Sequence, residues 1–149
     1  MLSWLTDSTE CKEHPVFECA EKQARQLRHN FIGSEHLIIG VLACGGESNT
    51  FLKNHGMSEK AAFEAVKKIV GEGEAPLRSK SIPYTPRAKR IYSAAKKVAR
   101  SRSCPKVGWQ HILIGILNEG DGIGAYILRD FDVEPDDLLE KLEDTSGNP

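Results

Sequence analysis

The octet GSEHLIIG at residues 33–40 returns 75 residues later as GWQHILIG at 108–115. Sliding the whole chain by 75 positions aligns ten identities. Ala20, Lys22, Ala24, Arg25, Gly33, His36, Ile39, Gly40, Leu42 and Gly45 meet Ala95, Lys97, Ala99, Arg100, Gly108, His111, Ile114, Gly115, Leu117 and Gly120. Val16/Ile91, Phe17/Tyr92, Ile32/Val107, Leu37/Ile112 and Val41/Ile116 are apolar exchanges. One inserted residue then moves the offset to 76, so that Leu52 meets Leu128, Met57 meets Val133 and Val66 meets Leu142. Self-similarity at this period marks a duplicated supersecondary unit, and any fold of the chain must be written twice.

Each unit reads as four helices. Pro15 opens the first, with Val16, Phe17, Ala20, Ala24 and Leu27 on one face. Ser34 is expected to cap a short buried helix from Glu35 to Ala43, ended by Gly45-Gly46. A third helix is expected over about 48–54. Ser58 caps a fourth running to about Val70, with Ala62, Val66 and Ile69 inward. In the second unit Thr85-Pro86 opens a helix to about Ser101, followed by helices at about 110–118 and 123–130. Pro135 opens the last, with Leu138, Leu139 and Leu142 inward. No segment alternates as a strand does. The expectation is an all-α domain: two pseudo-twofold-related four-helix repeats, about eight helices, packed face to face. The boundaries are an extension at 1–14, a domain at 15–143 and a tail at 144–149. Within the domain, repeat one covers 15–70, a Gly/Pro/Ser-rich linker 71–84 and repeat two 85–143.

These residues resemble the Clp N-terminal domain, the double-repeat module at the front of Clp-type AAA+ unfoldases. The stretch HNFIGSEHLIIGVL (29–42) is close to the first-repeat signature, and IPYTPRAKR (82–90) is similar to the linker and second-repeat opening. The resemblance spans about residues 15–143. It implies a non-catalytic interaction module of the Clp chaperone–protease system that docks adaptors, substrates or Clp subunits. Two forms fit: a free-standing accessory protein, or the receptor domain of a full Clp ATPase. No GxxxxGK[ST] loop occurs in the chain, so no phosphate-cradling loop for ATP is expected, and no cofactor.

The two octets differ where chemistry is expected. Gly33 lets the backbone turn closely onto the helix start, whose N–H groups favour an anion. Glu35 beside them suits a cation. The resemblance implies a ligand with both parts, arginine-phosphorylated protein, with the family's Glu falling on Glu35 and Ser34 replacing its Thr. In the second copy Gln110 stands at the Glu position and Trp109 beside it, so that site is expected to be impaired or repurposed. Ser34, Glu35, Trp109 and Gln110 are therefore the candidate ligand- or partner-binding residues. The competing reading is that Glu35 only complements the helix dipole.

Other residues point less sharply. His36 and His111 are expected to be hydrogen-bonded core histidines rather than metal ligands, since no third ligand is spaced to help. Gly40 and Gly115 fall inside helices, which suggests close helix–helix approach across the pseudo-twofold. Residues 87–106 carry eight basic residues and no acid, a face suited to an acidic partner protein more than to nucleic acid. The net charge of −1 excludes a bulk electrostatic drive toward nucleic acid. Cys11, Cys19, Cys44 and Cys104 fit neither a zinc spacing nor a disulfide framework, and reduced thiols are expected. No catalytic residues and no metal site are expected. No apolar run is long enough for a membrane span. No basic segment followed by an apolar one opens the chain, so no secretory signal is expected. The expected compartment is the cytoplasm, or the plastid stroma after removal of a transit peptide.

Overall fold

The computed structural model describes residues 14–44, 46–78, 80–104, 106–134, 136–138 and 140. Repeat one contains α1 (Pro15–Gln26), α2 (Ser34–Cys44), α3 (Glu47–Lys53) and α4 (Glu59–Val70). Repeat two contains α5 (Pro86–Ser101), α6 (Trp109–Glu119) and α7 (Ile123–Asp130). Residues 136–138 and 140 are helical as well, with Leu138 buried. The expected helix start at Pro135, the inward Leu139 and Leu142, the tail and all of the extension except His14 lie outside the described residues. Among the described residues there is no strand, only one isolated bridge between Ile32 and Tyr84.

The caps follow from the side chains. The Ser58 hydroxyl accepts from the Ala61 N–H at 3.1 Å and the Thr85 hydroxyl from the Ala88 N–H at 3.1 Å. The His14 ring caps α1 by accepting from the Val16 N–H through Nδ1, so its Nε2 carries the proton and donates to the Val107 carbonyl. The duplication also extends to the backbone stops. Arg28 and Ser103, 75 apart, both take left-handed φ angles of 60° and 57°. Behind them the His29 and Cys104 N–H groups close on the Ala24 and Ala99 carbonyls at 2.9 and 2.8 Å. Gly56 and Asp132 repeat this at the 76 offset. These are Schellman closures, written twice.

The centre is built from α2 and α6. Both are apolar around their circumference and buried along most of their length, which is how a helix in the middle of a core reads. α2 touches α1, α3 and α4 of its own repeat and α5, α6 and α7 of the other. Phe17 of α1 and Tyr92 of α5 are duplicates of each other, and their rings meet edge to face at 5.0 Å. A residue that contacts its own duplicate lies on the pseudo-twofold axis, so the repeats face each other there.

Three expectations change. Ser34 is the first residue of α2 rather than its cap: Gly33 supplies the carbonyl that accepts from His36 and Leu37, at 3.1 and 3.3 Å. Ile69 is 45% exposed, and it is the half-buried Val70 that packs against the core. The close approach at Gly40 and Gly115 lies within each repeat, not across the axis. A Cβ on Gly40 would sit 2.5 Å from the Val16 carbonyl oxygen, and one on Gly115 2.7 Å from that of Ile91. Val16 and Ile91 are duplicates, so the same glycine crossing joins α1 to α2 and α5 to α6.

Candidate functional site

The start of α2 is organised by a glycine and a histidine three residues later. Gly33 donates its N–H to His36 Nδ1 at 2.9 Å. Gly108 does the same to His111 Nδ1 at 2.8 Å. The imidazole at the third helical position thus plays the part a Glu or Gln plays in a capping box. This is the physical reason for the repeated Gly-x-x-His. It leaves the two residues in between free to differ, and they are the ones that do.

Ser34, freed from capping, is buried and accepts from the Gly124 N–H at 2.9 Å. Gly124 belongs to α7, so this bond ties the repeats together. The approach is tight: a Cβ on Gly124 would lie 2.7 Å from the Ser34 carbonyl oxygen. In the duplicate position Trp109 meets the corresponding helix of the other repeat, α3, where its ring lies 5.7 Å from that of Phe51. One position therefore makes a hydrogen-bonded seam in one half and an aromatic contact in the other.

Glu35 is 5% exposed, and its carboxylate turns back over Gly33, where a Cβ would collide with Oε1. Burial raises its pKa above the usual carboxylate value, while its own backbone N–H, His29 and Arg87 act in the opposite direction. The helix-start donor thus already has an acceptor within the chain. Glu35 lines a cavity of about 330 Å³ between the repeats, together with Phe31, Gly33, Arg87, Arg90 and Ile123. Arg87 and Arg90 share one carboxylate. Arg87 Nε donates to Glu119 at 3.0 Å and Arg90 Nη2 at 3.2 Å. These partners hold the Glu119 carboxyl below its usual pKa. The cavity therefore brings together one buried carboxyl and two guanidinium groups that share the Glu119 carboxylate.

The duplicate site differs in charge. Gln110 adopts the Glu35 pose, with its Oε1 folded over Gly108 where a Cβ would lie 2.7 Å away. It carries no charge. The adjoining cavity, about 910 Å³, is walled by Tyr92, Trp109, Val107 and the cations Lys96, Arg100 and Lys106. No acid is among its described lining residues. Of the basic run of 87–106, Arg87 and Arg90 line the first cavity and Lys96, Arg100 and Lys106 the second. Arg87 and Arg90 are the site residues that sequence reasoning passed over. The signal was the pseudo-twofold, which brings the opening of the second repeat against the octet of the first.

The histidines behave as core groups. His36 Nδ1 is an acceptor, so Nε2 carries its proton and donates to His29 Nδ1 at 2.9 Å. His29 Nε2 in turn donates to the Gly71 carbonyl at 2.8 Å. Burial, then the neighbouring His29, lowers the His36 pKa to about 3, so the ring is neutral. In the second repeat Cys104 stands at the His29 position, and the buried His111 Nε2 has no hydrogen-bond partner among the described residues. Among the described residues no group of three His, Cys, Asp or Glu side chains is arranged to hold a metal ion. No described helix is long and apolar enough to cross a membrane.

Comparisons with known proteins agree with this architecture. The sequence profile described as "Clp repeat (R) N-terminal domain" matches residues 12–131 and 83–148. The chain is 36% identical over 128 residues to the chloroplastic chaperone protein ClpC of Pisum sativum, covering 85% of this chain and 14% of that protein. It is 38% identical over 120 residues to an ATP-dependent Clp protease ATP-binding subunit ClpA homolog of Cyanidium caldarium, covering 80% and 14%. The chain thus spans about one seventh of the length of these relatives. Among solved structures it resembles the N-terminal domain of the chaperone ClpD from Arabidopsis thaliana, with a TM-score of 0.71, 24% identity and coverage of 86% and 89%. It also resembles the Hsp104 N-terminal domain from Candida albicans, with a TM-score of 0.68, 14% identity and coverage of 91% and 89%. At those identities the structural likeness establishes the fold.

Proposed function

The chain belongs to the Clp N-terminal domain family, and from that premise we propose that it is a non-catalytic interaction module of the Clp chaperone–protease system, docking adaptors, substrates or Clp subunits. The observation that carries the proposal is the charge layout of the smaller cavity. Glu35, Arg87 and Arg90 line one space of about 330 Å³. A ligand joining a guanidinium to an anion is complementary to this pairing of charges. Arginine phosphorylated on a partner protein is such a ligand: Glu35 takes the guanidinium, and Arg87 and Arg90 take the phosphoryl group. A cation arriving beside Glu35 also offsets the burial that raises its pKa, so binding favours the ionised carboxylate.

The larger cavity, with Trp109 on its wall, serves an apolar or acidic partner surface instead. In a second reading the same surfaces are the receptor of a full Clp ATPase, supported by relatives that are Clp ATPases matched over 14% of their length. Chloroplastic relatives favour the plastid stroma over the cytoplasm as the working compartment. The test is affinity capture of purified Clp ATPase and protease subunits on the immobilised chain. Retention of at least one subunit is expected, along with passage through immobilised DNA without retention. Retention on DNA with no Clp subunit bound would overturn the proposal.

A further inference from the structure

α1 and α2 carry one cysteine each, and the fold brings them together. Cys44 donates its thiol hydrogen to the Cys19 sulfur, with the sulfurs 3.7 Å apart. Cys44 is the last residue of α2 and is exposed, and Cys19 is half-buried on α1. A disulfide bond spans about 2.05 Å, so closing the gap takes a movement of about 1.7 Å. The two sulfurs sit on helices that pack directly against each other.

The pair is not part of the repeated scaffold. The duplicates of Cys19 and Cys44 are Ala94 and Glu119. The second repeat builds the same helix crossing without sulfur at either position. Glu119 there serves Arg87 and Arg90. The two thiols are thus a feature of the first repeat alone. Cys44 also lines the larger cavity beside Trp109, so any change at its sulfur is felt at that rim.

We propose that Cys19 and Cys44 form a redox-responsive dithiol that closes to an intramolecular disulfide when it meets a low-molecular-weight disulfide. The exchange balances in two steps. One thiol loses its proton to solvent, and the thiolate attacks the small disulfide, forming a mixed disulfide and expelling one small thiolate. The other then loses its proton and attacks the protein sulfur of that mixed disulfide, expelling the second small thiolate. The protein gives up two electrons and the oxidant is reduced to two thiols. Burial, followed by the hydrogen bond to Cys19, pushes the Cys44 thiol up to about 12, so closure accelerates as pH rises.

The full chain treated with oxidised glutathione, then alkylated and measured by intact mass, tests this. The expected product is a monomer in which Cys19 and Cys44 have together lost two hydrogens and take up no alkyl group, yielding a Cys19–Cys44 linked peptide on digestion and reverting with dithiothreitol. Its thermal midpoint should rise by roughly 5–10 °C, because the bond closes a short loop of the unfolded chain. Cys104→Ser should form the same product. In Cys44→Ser, Cys19 should stop at a stable mixed disulfide with glutathione. Separate adducts on Cys19 and Cys44 in the wild-type chain would overturn the proposal. So would a linkage of either residue to Cys11, to Cys104 or to a second chain.

Discussion

Replacing Gly40 by Ala tests the helix crossing that the duplication preserves. A helix interior favours Ala over Gly by about 1 kcal/mol, so propensity alone makes Gly40→Ala stabilising. The structure reverses the sign. The added Cβ falls 2.5 Å from the Val16 carbonyl oxygen and 3.0 Å from the Ala20 backbone nitrogen. An ordinary carbon–oxygen contact lies near 3.3 Å, so α1 must retreat by about 0.8 Å. Both obstructing atoms are backbone, so no rotamer change relieves them. Overpacking of this kind costs about 1–3 kcal/mol beyond its packing gain. Set against the propensity gain, the net expectation is a loss of up to about 2 kcal/mol, seen as a lower urea midpoint at unchanged slope. Gly115→Ala should lose less, since its Cβ would lie 2.7 Å from the Ile91 oxygen and 3.4 Å from the Ala95 nitrogen. A Gly40→Ala protein more stable than wild type by the roughly 1 kcal/mol that propensity alone supplies would refute the crossing geometry.

Three further outcomes follow from the same structure. Ser34→Ala should cost about 1–3 kcal/mol by equilibrium unfolding, because it leaves the buried Gly124 N–H between the repeats without its acceptor. Acid should destabilise the fold between about pH 6.5 and 3. There the unfolded chain protonates His36 and the folded one, with its pKa near 3, does not. Stability then falls with decreasing pH by up to about 1.4 kcal/mol per unit and is level in this respect above 6.5. His36→Gln should flatten that part of the profile, and an unchanged slope would show that the ring titrates normally in the fold. Val66→Ala should lower stability by about 1–3 kcal/mol, whereas Ile69→Gln should stay within about 0.5 kcal/mol, as their burial and exposure require.

Features that depend on neighbours in the chain were legible before any coordinates. The hydroxyls of Ser58 and Thr85 cap the helices that follow them, and the apolar faces of α1 and α5 are inward, because capping and periodicity act within one or two turns. The repeat identified the family and located the two central helices. Ser34 departs from the expected role because a serine before an apolar run is ordinarily a cap. Here the Gly33–His36 bond supplies the cap and releases the hydroxyl to the other repeat. The direction of the Gly40 and Gly115 contacts was not legible either. A small residue signals close approach but does not say which helix approaches. Ile69 shows the limit of periodicity at a helix end, where the core curves away and Val70 takes the contact. The Arg87–Arg90–Glu119 cluster and the Cys19–Cys44 pair join residues 25 to 32 positions apart on different helices. Only the packing of those helices brings them together.

The central claim is that the two halves share a fold and differ in recognition, with Glu35 the charged anchor and Gln110 its neutral counterpart. Calorimetric titration with phosphoarginine addresses it directly. Wild type should bind at one site. Glu35→Gln should weaken binding by roughly 10–100-fold, the worth of a desolvated carboxylate–guanidinium contact, while Gln110→Ala leaves it unchanged. Wild-type protein that takes up no phosphoarginine, or a Glu35→Gln variant that binds as wild type does, would contradict the account.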